Sequence, residues 1–352
     1  MRTLKGSATG LVWLFIFLCT IITSSAWGAK SASIVICAET GKVYSSSNPD
    51  VITHPASLTK MMTLYLTFQA LREGKFKMDQ KIPVSKHATK QEPSNLWLKQ
   101  GTSITVRQAI LGLVTKSAND AAVVLAEALG KGSEPHFAKL MTQKARNLGM
   151  AKTIFKNASG LPNKQQITTA RDMATLSRAL YLHFPEYFKF FKEKEFAFKG
   201  TVHKNHNHLL GKVKGVDGIK TGFTCASGFN LAASMVRDNR RIIAVVLGGE
   251  SIKARDKKMT HLLEATHASL QGQPLPQKKG KYASIGDLIH TIDTSSQQTQ
   301  QAVYLSQTGD VKSLDVAYNS LDALFNDIAP PQNKTKPKVN KNKNKKKKKK
   351  RA

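Results

Sequence analysis

A serine and a lysine three residues apart, Ser57 and Lys60, are the first side chains in this sequence whose spacing could support covalent chemistry. On a helix, two residues at this spacing lie on one face, with about 5–6 Å between their Cβ atoms. A neutral lysine amine can then accept the serine proton and activate the hydroxyl as a nucleophile. If Ser57 begins the helix, its backbone N–H can also help to hold an oxyanion. The pair alone is weak evidence, because serine is a common first residue of helices.

A second polar group, Ser117-Ala118-Asn119, lies between two predicted helical segments. In a loop at this position, Ser117 could relay a proton, and Asn119 could hydrogen-bond a substrate amide and Lys60. The competing interpretation is a plain helix cap, which Ser117, Asn119 and the following Asp120 all suit.

A third group, Lys220-Thr221-Gly222, falls within a predicted strand over residues 218–223. A strand edge can bind an extended peptide through backbone hydrogen bonds. Lys220 and Thr221 offer a cation and a hydroxyl to a carboxylate, and Gly222 removes the side chain that would block close approach. A turn-rich strand with a solvated lysine is the alternative.

The periodicity of apolar residues predicts the elements that must position these groups. Strands are predicted over 33–37, 42–45, 213–216, 218–223, 229–236 and 240–247, and helices over 57–71, several pieces of 107–150, 170–181 and 252–270. Strands at both ends with helices between them predict a sheet whose strands come from distant parts of the chain. The helical middle would form a lobe beside it, in a mixed α/β (α+β) domain.

The composition excludes several classes of protein. The 352 residues are 41% hydrophobic, which is enough for a packed core and excludes wholesale disorder. Three cysteines are too few for a disulfide-rich scaffold or a multi-cysteine zinc site, and we expect no metal and no cofactor. Cys37 and Cys225 could form at most one internal disulfide, and we expect both to be ordinary packed residues.

The first 28 residues have the layout of a secretory signal peptide. Arg2 and Lys5 form a basic start, residues 11–22 are almost entirely apolar, and small residues precede a predicted cut before Ala29. An uncleaved anchor is the alternative, although the apolar run is short for a span of roughly 20 residues. We therefore expect an exported protein, in the periplasm or on the outer face of the cytoplasmic membrane.

The net charge of +31 is concentrated at the end of the chain, since residues 332–352 hold twelve basic side chains and no acidic one. Such a run usually indicates a disordered, charge-seeking arm. Export makes nucleic acid a poor partner, so we expect the tail to attract an anionic membrane or cell-wall surface. The predicted organisation is a signal peptide (1–28), a catalytic domain (29–270), a linker and small region with a helix near 313–328 (271–329), and the tail (330–352).

The three groups occur together, in an order typical of penicillin-binding proteins and class A β-lactamases. The chain resembles the low-molecular-mass penicillin-binding proteins, the serine-type D-alanyl-D-alanine carboxypeptidases, over about residues 32–270. The resemblance is carried by the segments PASLTKMMT (55–63), SANDAA (117–122), NLGM (147–150), TARDMA (169–174) and VDGIKTG (216–222). It implies a penicillin-binding/β-lactamase-like catalytic domain with an antiparallel sheet and an all-helical lobe.

The resemblance also implies roles for the catalytic residues. Ser57 would be the acylated nucleophile and Lys60 its general base, and Ser117 and Asn119 would assist proton transfer and substrate binding. The base must be kept neutral, and burial beside a second cation, Lys220, would lower its pKa in the required direction.

For the substrate, the resemblance assigns Lys220, Thr221 and Gly222 to the strand that holds the terminal carboxylate, with Arg255 as a further cation nearby. The backbone N–H groups of Ser57 and Phe223 would form the oxyanion hole. The implied activity is removal of the terminal D-Ala from peptidoglycan stem peptides ending in D-Ala-D-Ala. A DD-endopeptidase acting on cross-links and a non-catalytic envelope-binding protein remain as alternatives.

A class A β-lactamase is the nearest competing enzyme. Those enzymes use a glutamate in a Glu-x-x-Leu-Asn motif for deacylation, and nothing between Phe155 and Tyr187 matches it. We therefore expect β-lactams to act as covalent inhibitors that acylate Ser57 and leave slowly.

Overall fold

Long apolar runs at both ends of the catalytic region form one antiparallel sheet. The structure, a computed structural model, describes residues 31–273, so the predicted signal peptide, the helix near 313–328 and the basic tail lie outside it. The sheet contains β1 (Ala32–Cys37), β2 (Val43–Ser47), β7 (Val216–Thr224), β8 (Gly228–Arg237) and β9 (Arg240–Gly249), in the order β2-β1-β9-β8-β7. All neighbouring strands are antiparallel.

The central strands are covered on both faces, which explains their uninterrupted apolar sequence. Every residue of β1 is buried, and β1 pairs with β9 so that Val35 lies opposite Ala244. This pairing joins the first strand to the last and closes the domain. The sheet prediction is therefore confirmed.

Helices surround the sheet and form the lobe. They are α1 (Lys60–Arg72), α2 (Lys86–Thr89), α3 (Val106–Val114), α4 (Asn119–Leu129), α5 (Glu134–Asn147), α6 (Ala170–His183), α7 (Pro185–Phe188) and α8 (Ile252–Leu270). Two short 3-10 helices cover Ala56–Thr59 and Lys189–Lys192. Two small hairpins are formed by β3 (Lys81–Pro83) with β4 (Ser103–Thr105), and by β5 (Glu195–Phe198) with β6 (Thr201–Lys204).

The core has two parts, one on each face of the sheet. On one face, Met259 and Leu263 of α8 pack with Val35 and Leu231. On the other face, α6 packs against β1 and β9, and a larger cluster continues into the lobe, where Phe68 of α1 is fully buried. The 3-10 turn Ala56–Thr59 contacts β7 and β8, and α1, which follows it, packs against the helices of the lobe, so the start of α1 is held from both sides.

Several predicted boundaries were wrong. The helix expected from Ser57 begins as a 3-10 turn and becomes α-helical only at Lys60. Residues 213–215 belong to turns rather than a strand, because Gly215 has a φ of 81° and β7 begins at Val216. The short hairpins β3–β4 and β5–β6 were missed, since three- and four-residue strands give almost no periodicity. The prediction for α8, 252–270, matches the structure.

The expectation for the cysteines was correct for one residue only. Cys37 is buried at the end of β1, whereas Cys225 is exposed in the turn between β7 and β8. The two thiols are not bonded to each other. Between residues 31 and 273, no helix has the length and apolarity needed to cross a membrane.

Candidate active site

The hydroxyl of Ser57 lies at the start of the 3-10 turn, at the junction of lobe and sheet. The preceding residue, Ala56, has a φ of 48°, a conformation that costs energy in a residue with a side chain. Gly160 packs directly against Ala56, because a Cβ atom on this glycine would collide with the Ala56 carbonyl oxygen. The segment that contains Gly160 thus fixes the backbone conformation next to Ser57.

Lys60 points from the first turn of α1 into the protein and is completely buried. Its Nζ atom lies 3.1 Å from Ser57 Oγ, 2.6 Å from Asn119 Oδ1 and 2.5 Å from the Ser159 carbonyl oxygen. All three partners can accept a hydrogen bond, and no carboxylate among residues 31–273 bonds to the amine. The contact predicted between Asn119 and Lys60 is therefore present.

The surroundings of Lys60 favour the neutral amine. Burial, and then the positive charge of Lys220, hold the pKa of Lys60 well below its usual range, and Asp120 opposes them only in part. A neutral amine keeps a lone pair with which it can accept the Ser57 proton. The arrangement therefore suits a general base.

Ser117 and Asn119 line the lobe side of the cleft, and Asn119 contacts Lys60. Asn119 is the first residue of α4, and its Nδ2 donates to the Glu92 carbonyl oxygen over 2.7 Å. Since its Oδ1 accepts from Lys60, this carboxamide has a fixed orientation. Ser117 has a φ of 60°, and its Oγ is buried without a hydrogen-bond partner among residues 31–273. An unpartnered buried hydroxyl is costly, and it is available here to a reacting group.

Strand β7 forms the opposite wall, with Lys220 and Thr221 buried and Gly222 packed against the 3-10 turn. A Cβ atom on Gly222 would lie 2.9 Å from the backbone nitrogen of Ser57, a separation that real Cβ atoms essentially never show. Glycine therefore lets the strand reach the nucleophile. The next residue, Phe223, exposes about half of its side chain and stacks on Phe229 with 4.3 Å between the ring centroids.

Two cations lie beside this strand. Lys220 Nζ donates to the Thr221 carbonyl oxygen over 2.9 Å, and burial together with the nearby charge of Arg255 lowers the pKa of Lys220 to about 7. Arg255 is buried in the first turn of α8 and donates two hydrogen bonds to Asp256. Together they supply positive charge where an anionic end of a ligand could bind.

These groups surround one cleft of about 730 Å³. The predicted residues that line it are Ser57, Ser117, Asn119, Thr221, Gly222, Phe223 and Arg255. Lys60 and Lys220 are buried beneath its surface. The structure thus brings together all three predicted groups, which are far apart in the sequence.

Sequence reasoning missed the segment that completes the surroundings of Lys60. The Ser159 carbonyl accepts from Lys60, and the Ala158 carbonyl accepts from the Thr63 hydroxyl over 2.7 Å. The Ala158 N–H donates to Glu134 over 3.0 Å, so a buried carboxylate holds this turn. Gly160 was the only residue whose type pointed to this segment, since any residue can supply a backbone carbonyl.

Comparisons with known proteins agree with this geometry. The family model described as D-alanyl-D-alanine carboxypeptidase matches residues 21–251. The curated D-alanyl-D-alanine carboxypeptidase DacF of Bacillus subtilis is 36% identical over 262 residues, covering 73% of this chain and 67% of that protein. DacA of Escherichia coli K12 is 36% identical over 294 residues, covering 81% of this chain and 72% of that protein.

Solved structures have the same fold. Penicillin binding protein 5 from Haemophilus influenzae matches with a TM-score of 0.66 and 33% identity, over 70% of this chain and 73% of that one. Penicillin-Binding Protein D2 from Listeria monocytogenes, in its ampicillin-bound form, matches with a TM-score of 0.62 and 31% identity, over 68% and 97%. Together with the Ser57–Lys60 arrangement, these similarities show that the chain belongs to the D-alanyl-D-alanine carboxypeptidase family of serine peptidases.

Proposed function

We propose that this protein removes the terminal D-Ala from peptidoglycan stem peptides through an acyl-enzyme on Ser57. The observation that carries the proposal is the fully buried Lys60 amine, 3.1 Å from the Ser57 hydroxyl and without a bound carboxylate in the part of the chain that the structure describes. A lysine held in this way serves proton transfer better than it serves stability, because a buried amine costs desolvation free energy.

In the acylation step, the Ser57 Oγ proton passes to the neutral Lys60 amine, and Oγ bonds to the carbonyl carbon of the penultimate D-Ala. The backbone N–H groups of Ser57 and Phe223 stabilise the negative oxygen that develops. The C–N bond then breaks, and the departing D-Ala amine takes a proton from Lys60 through the Ser117 hydroxyl. Lys60 is neutral again, and the shortened peptide is an ester of Ser57.

Deacylation reverses the proton path with water as the nucleophile. Lys60 accepts a proton from the water, whose oxygen bonds to the ester carbon, and the ester bond to Ser57 Oγ breaks. Oγ takes that proton back from Lys60, and the new carboxylic acid releases its own proton to solvent, so the peptide leaves as a carboxylate. The order of events, D-Ala out and then water in, is a ping-pong reaction.

The substrate's end is recognised by charge in this proposal. Lys220 and Thr221 bind the terminal carboxylate, with Arg255 as a second cation. A carboxypeptidase and an endopeptidase, whose substrate continues as a cross-link, can both use this charge. Analysis of the products from cross-linked and uncross-linked muropeptides separates the two activities.

The direct test is release of D-Ala from a peptide that ends in D-Ala-D-Ala. We expect the wild-type protein to release one D-Ala per peptide molecule and Ser57→Ala to release none. Ser46→Ala, a control at an exposed serine, should release as much D-Ala as the wild type. A folded wild-type protein that released no D-Ala would contradict the proposal and favour a non-catalytic binding protein.

We also propose that β-lactams acylate Ser57 and that the protein acts after export, in the periplasm or at the outer face of the cytoplasmic membrane. The Listeria relative in its ampicillin-bound form supports the first part. The signal-peptide layout of residues 1–28 supports the second. The basic tail would then hold the enzyme near an anionic surface by long-range attraction.

A further inference from the structure

A carboxylate at the edge of the cleft, that of Asp256, takes no part in the mechanism proposed above. It directly follows Arg255 in α8, and its Oδ1 accepts from Arg255 Nε over 2.9 Å and from Nη2 over 2.7 Å. Its other oxygen, Oδ2, lies 3.4 Å from Nδ1 of His208. One carboxylate thus joins the arginine to a histidine from a different segment of the chain.

The backbone of Arg255 is fixed by the ends of the sheet strands β8 and β9. Ser251 caps α8, since its Oγ accepts from the Ala254 N–H over 3.0 Å. A Cβ atom on Gly249 would lie 2.9 Å from the Phe229 carbonyl oxygen and 3.0 Å from Arg255 Cβ, so a glycine lets the arginine approach the sheet. This packing places the backbone and Cβ, but the guanidinium lies at the end of a long, flexible side chain. Its orientation therefore depends on its own hydrogen bonds.

Asp256 occupies one edge of this guanidinium and leaves the rest to a ligand. An arginine has five N–H groups in a rigid plane, and Oδ1 accepts from two of them, so three remain. Within residues 31–273, these three have no hydrogen-bond partner. Arg255 is 3% exposed and lines the cleft, so an anion that enters the cleft can reach it.

His208 contacts Asp256 from a segment that is tied to β7. The preceding residue, Asn207, is buried, and its Nδ2 donates to the Gly218 carbonyl oxygen over 3.0 Å. Gly218 belongs to β7, the strand that also carries Lys220. The contact between His208 and Asp256 therefore connects the strand that carries one cation of the cleft with the helix that carries the other.

The two contacts of Asp256 differ in their exposure to water. The side chain of His208 is 49% exposed, and this residue also lines a second groove of about 700 Å³ beside the cleft, between residues 96–97 and the hairpin β5–β6. The side chains of Asp256 and Arg255 are only 16% and 4% exposed. Water screens an exposed ion pair more than a shielded one, so the contact with Arg255 should contribute more than the contact with His208.

We propose that Asp256 is a positioning residue for the substrate's terminal carboxylate, because it orients the Arg255 guanidinium toward the cleft while His208 holds Asp256 from the other side. The inference rests on the proposed function, since it takes Arg255 as a cation that binds this carboxylate. Charge alone predicts the opposite effect, because the negative charge of Asp256 repels a second carboxylate. The positioning role and the charge effect therefore differ in sign.

The kinetic test uses two peptides that end in D-Ala-D-Ala, one with a free terminal carboxylate and one with a terminal carboxamide. The ratio of their kcat/KM values measures how well the enzyme uses the carboxylate. We expect Asp256→Ala to lower this ratio about fivefold or more, and Asp256→Asn, which keeps an oxygen acceptor for Arg255, to restore most of it. His208→Ala should lower the ratio only about twofold.

The matched control is another ion pair of α8. Glu264 accepts from Arg237 over 2.6 and 2.7 Å, and neither residue lines the cleft. Glu264→Ala removes a carboxylate from the same helix and should leave the ratio unchanged. A purely structural role of Asp256 would lower kcat/KM for both peptides equally, and a purely electrostatic role would raise the ratio in both Asp256 variants.

A double-mutant cycle tests whether Asp256 acts through Arg255. Arg255→Ala should lower the ratio at least as much as Asp256→Ala, and the double variant should lower it no further. Additive losses in the double variant would show that Asp256 acts independently of the arginine, and would overturn the inference.

A binding measurement without turnover separates this inference from the proposed function. In Ser57→Ala, calorimetry should show that Asp256→Ala raises Kd for the free-carboxylate peptide about fivefold and leaves Kd for the carboxamide unchanged. An unchanged or lower Kd for the free-carboxylate peptide would overturn the positioning role, even if the wild-type protein released D-Ala. If the wild-type protein released none while Asp256→Ala still weakened binding of that peptide alone, the proposed function would fail and the positioning role would stand.

Discussion

The Nζ atom of Lys60 lies 3.1 Å from Ser57 Oγ while the lysine side chain is fully buried. A protonated amine in this position would need a counter-ion, yet its three hydrogen-bond partners are a hydroxyl, a carboxamide and a backbone carbonyl. The pair is therefore arranged for a neutral lysine that receives a proton from the serine.

Replacing this amine should abolish the base while leaving the fold intact. For Lys60→Met, which keeps an apolar stem of similar length, we expect the rate of acylation by a penicillin to fall by about 10²- to 10⁴-fold. Lys77→Met, at an exposed lysine, controls for the loss of one charge. Stopped-flow acylation with circular dichroism of both variants makes the measurement, and a Lys60→Met rate within threefold of wild type would exclude the assigned role.

The pH dependence of kcat/KM should reveal the loss of the positive charge on Lys220. Its pKa is lowered to about 7, so it loses its charge, and with it its attraction for a carboxylate, as the pH rises through that value. We expect kcat/KM for a peptide ending in a free carboxylate to decline above about pH 7, since this ratio reports groups of the free enzyme. At acid pH it should fall again as Lys60 takes up a proton.

Arginine at the same position provides the control. Arginine stays charged throughout this range, so Lys220→Arg should move the alkaline decline to much higher pH, even if its maximal rate is lower. An unchanged alkaline limb in Lys220→Arg would assign that limb to another group.

Gly222 should be irreplaceable for activity because its Cα hydrogen faces the Ser57 backbone. A Cβ atom there would lie 2.9 Å from the Ser57 nitrogen, so Gly222→Ala must push the strand away from the nucleophile. We expect acylation to slow by about 10²-fold, the effect of a displacement of roughly 1 Å.

A substitution at another glycine, Gly149, controls for the general cost of replacing a glycine. Gly149 has a φ of 80° and no atom near the position of an added Cβ. Gly149→Ala should therefore cost about 1–2 kcal/mol of unfolding free energy without slowing acylation. If Ser57 is acylated at the wild-type rate in Gly222→Ala as well as in Gly149→Ala, then the closeness of Gly222 to Ser57 does not matter for acylation.

Glu134 should act as a positioning residue through the turn that contacts Lys60. It accepts from the Ala158 N–H, and the adjacent Ser159 carbonyl accepts from Lys60. Glu134→Ala should lower the free energy of unfolding by about 1.5–3 kcal/mol and slow acylation about tenfold. Glu134→Gln keeps an acceptor for Ala158 and should restore most of the rate.

The second partner of Glu134 offers a comparison. His87 Nε2 lies 2.7 Å from the other carboxylate oxygen and is about half exposed. His87→Ala should therefore affect acylation much less than Glu134→Ala. Equal rates for Glu134→Ala and Glu134→Gln would show that the contact with Ala158 does not position the turn.

The basic tail should determine attachment to anionic surfaces rather than activity. Deleting residues 332–352 removes twelve positive charges, each worth about 1 kcal/mol near an anionic membrane. We expect binding to vesicles with phosphatidylglycerol to fall at least 100-fold, and full-chain binding to weaken with salt. Vesicles of phosphatidylcholine are the control, and equal binding of both chains to anionic vesicles would refute the role of the tail.

The sequence predicted the main elements of the fold because their apolar patterns are long. The uninterrupted apolar run of β9 and the helical spacing of α8 are examples. The hairpin β5–β6 was missed because four-residue strands carry too few residues to show a period. Its position was therefore also missed, and with it the groove beside the cleft.

The parts of the site formed by side chains could be predicted from residue type and spacing, whereas the parts formed by backbone groups could not. Ser57, Lys60 and Lys220 were identified by type and spacing, helped by a family resemblance. The Ser159 carbonyl accepts from Lys60, and the Ala158 N–H donates to Glu134, but backbone groups carry no residue type that a pattern could reveal. Nor could any pattern report that Trp97, an apolar residue, remains exposed, since that follows from two hydrogen bonds to Asp120.

Mass-spectrometric mapping of the residue acylated by a penicillin tests the central claim most directly. Cleavage after Lys42 and Lys60 gives a peptide of residues 43–60 that contains Ser57. We expect one penicillin adduct per wild-type protein, located on Ser57 by fragmentation, and no adduct on Ser57→Ala. An unlabelled wild-type protein, or an adduct of equal yield on another residue or on Ser57→Ala, would contradict the account.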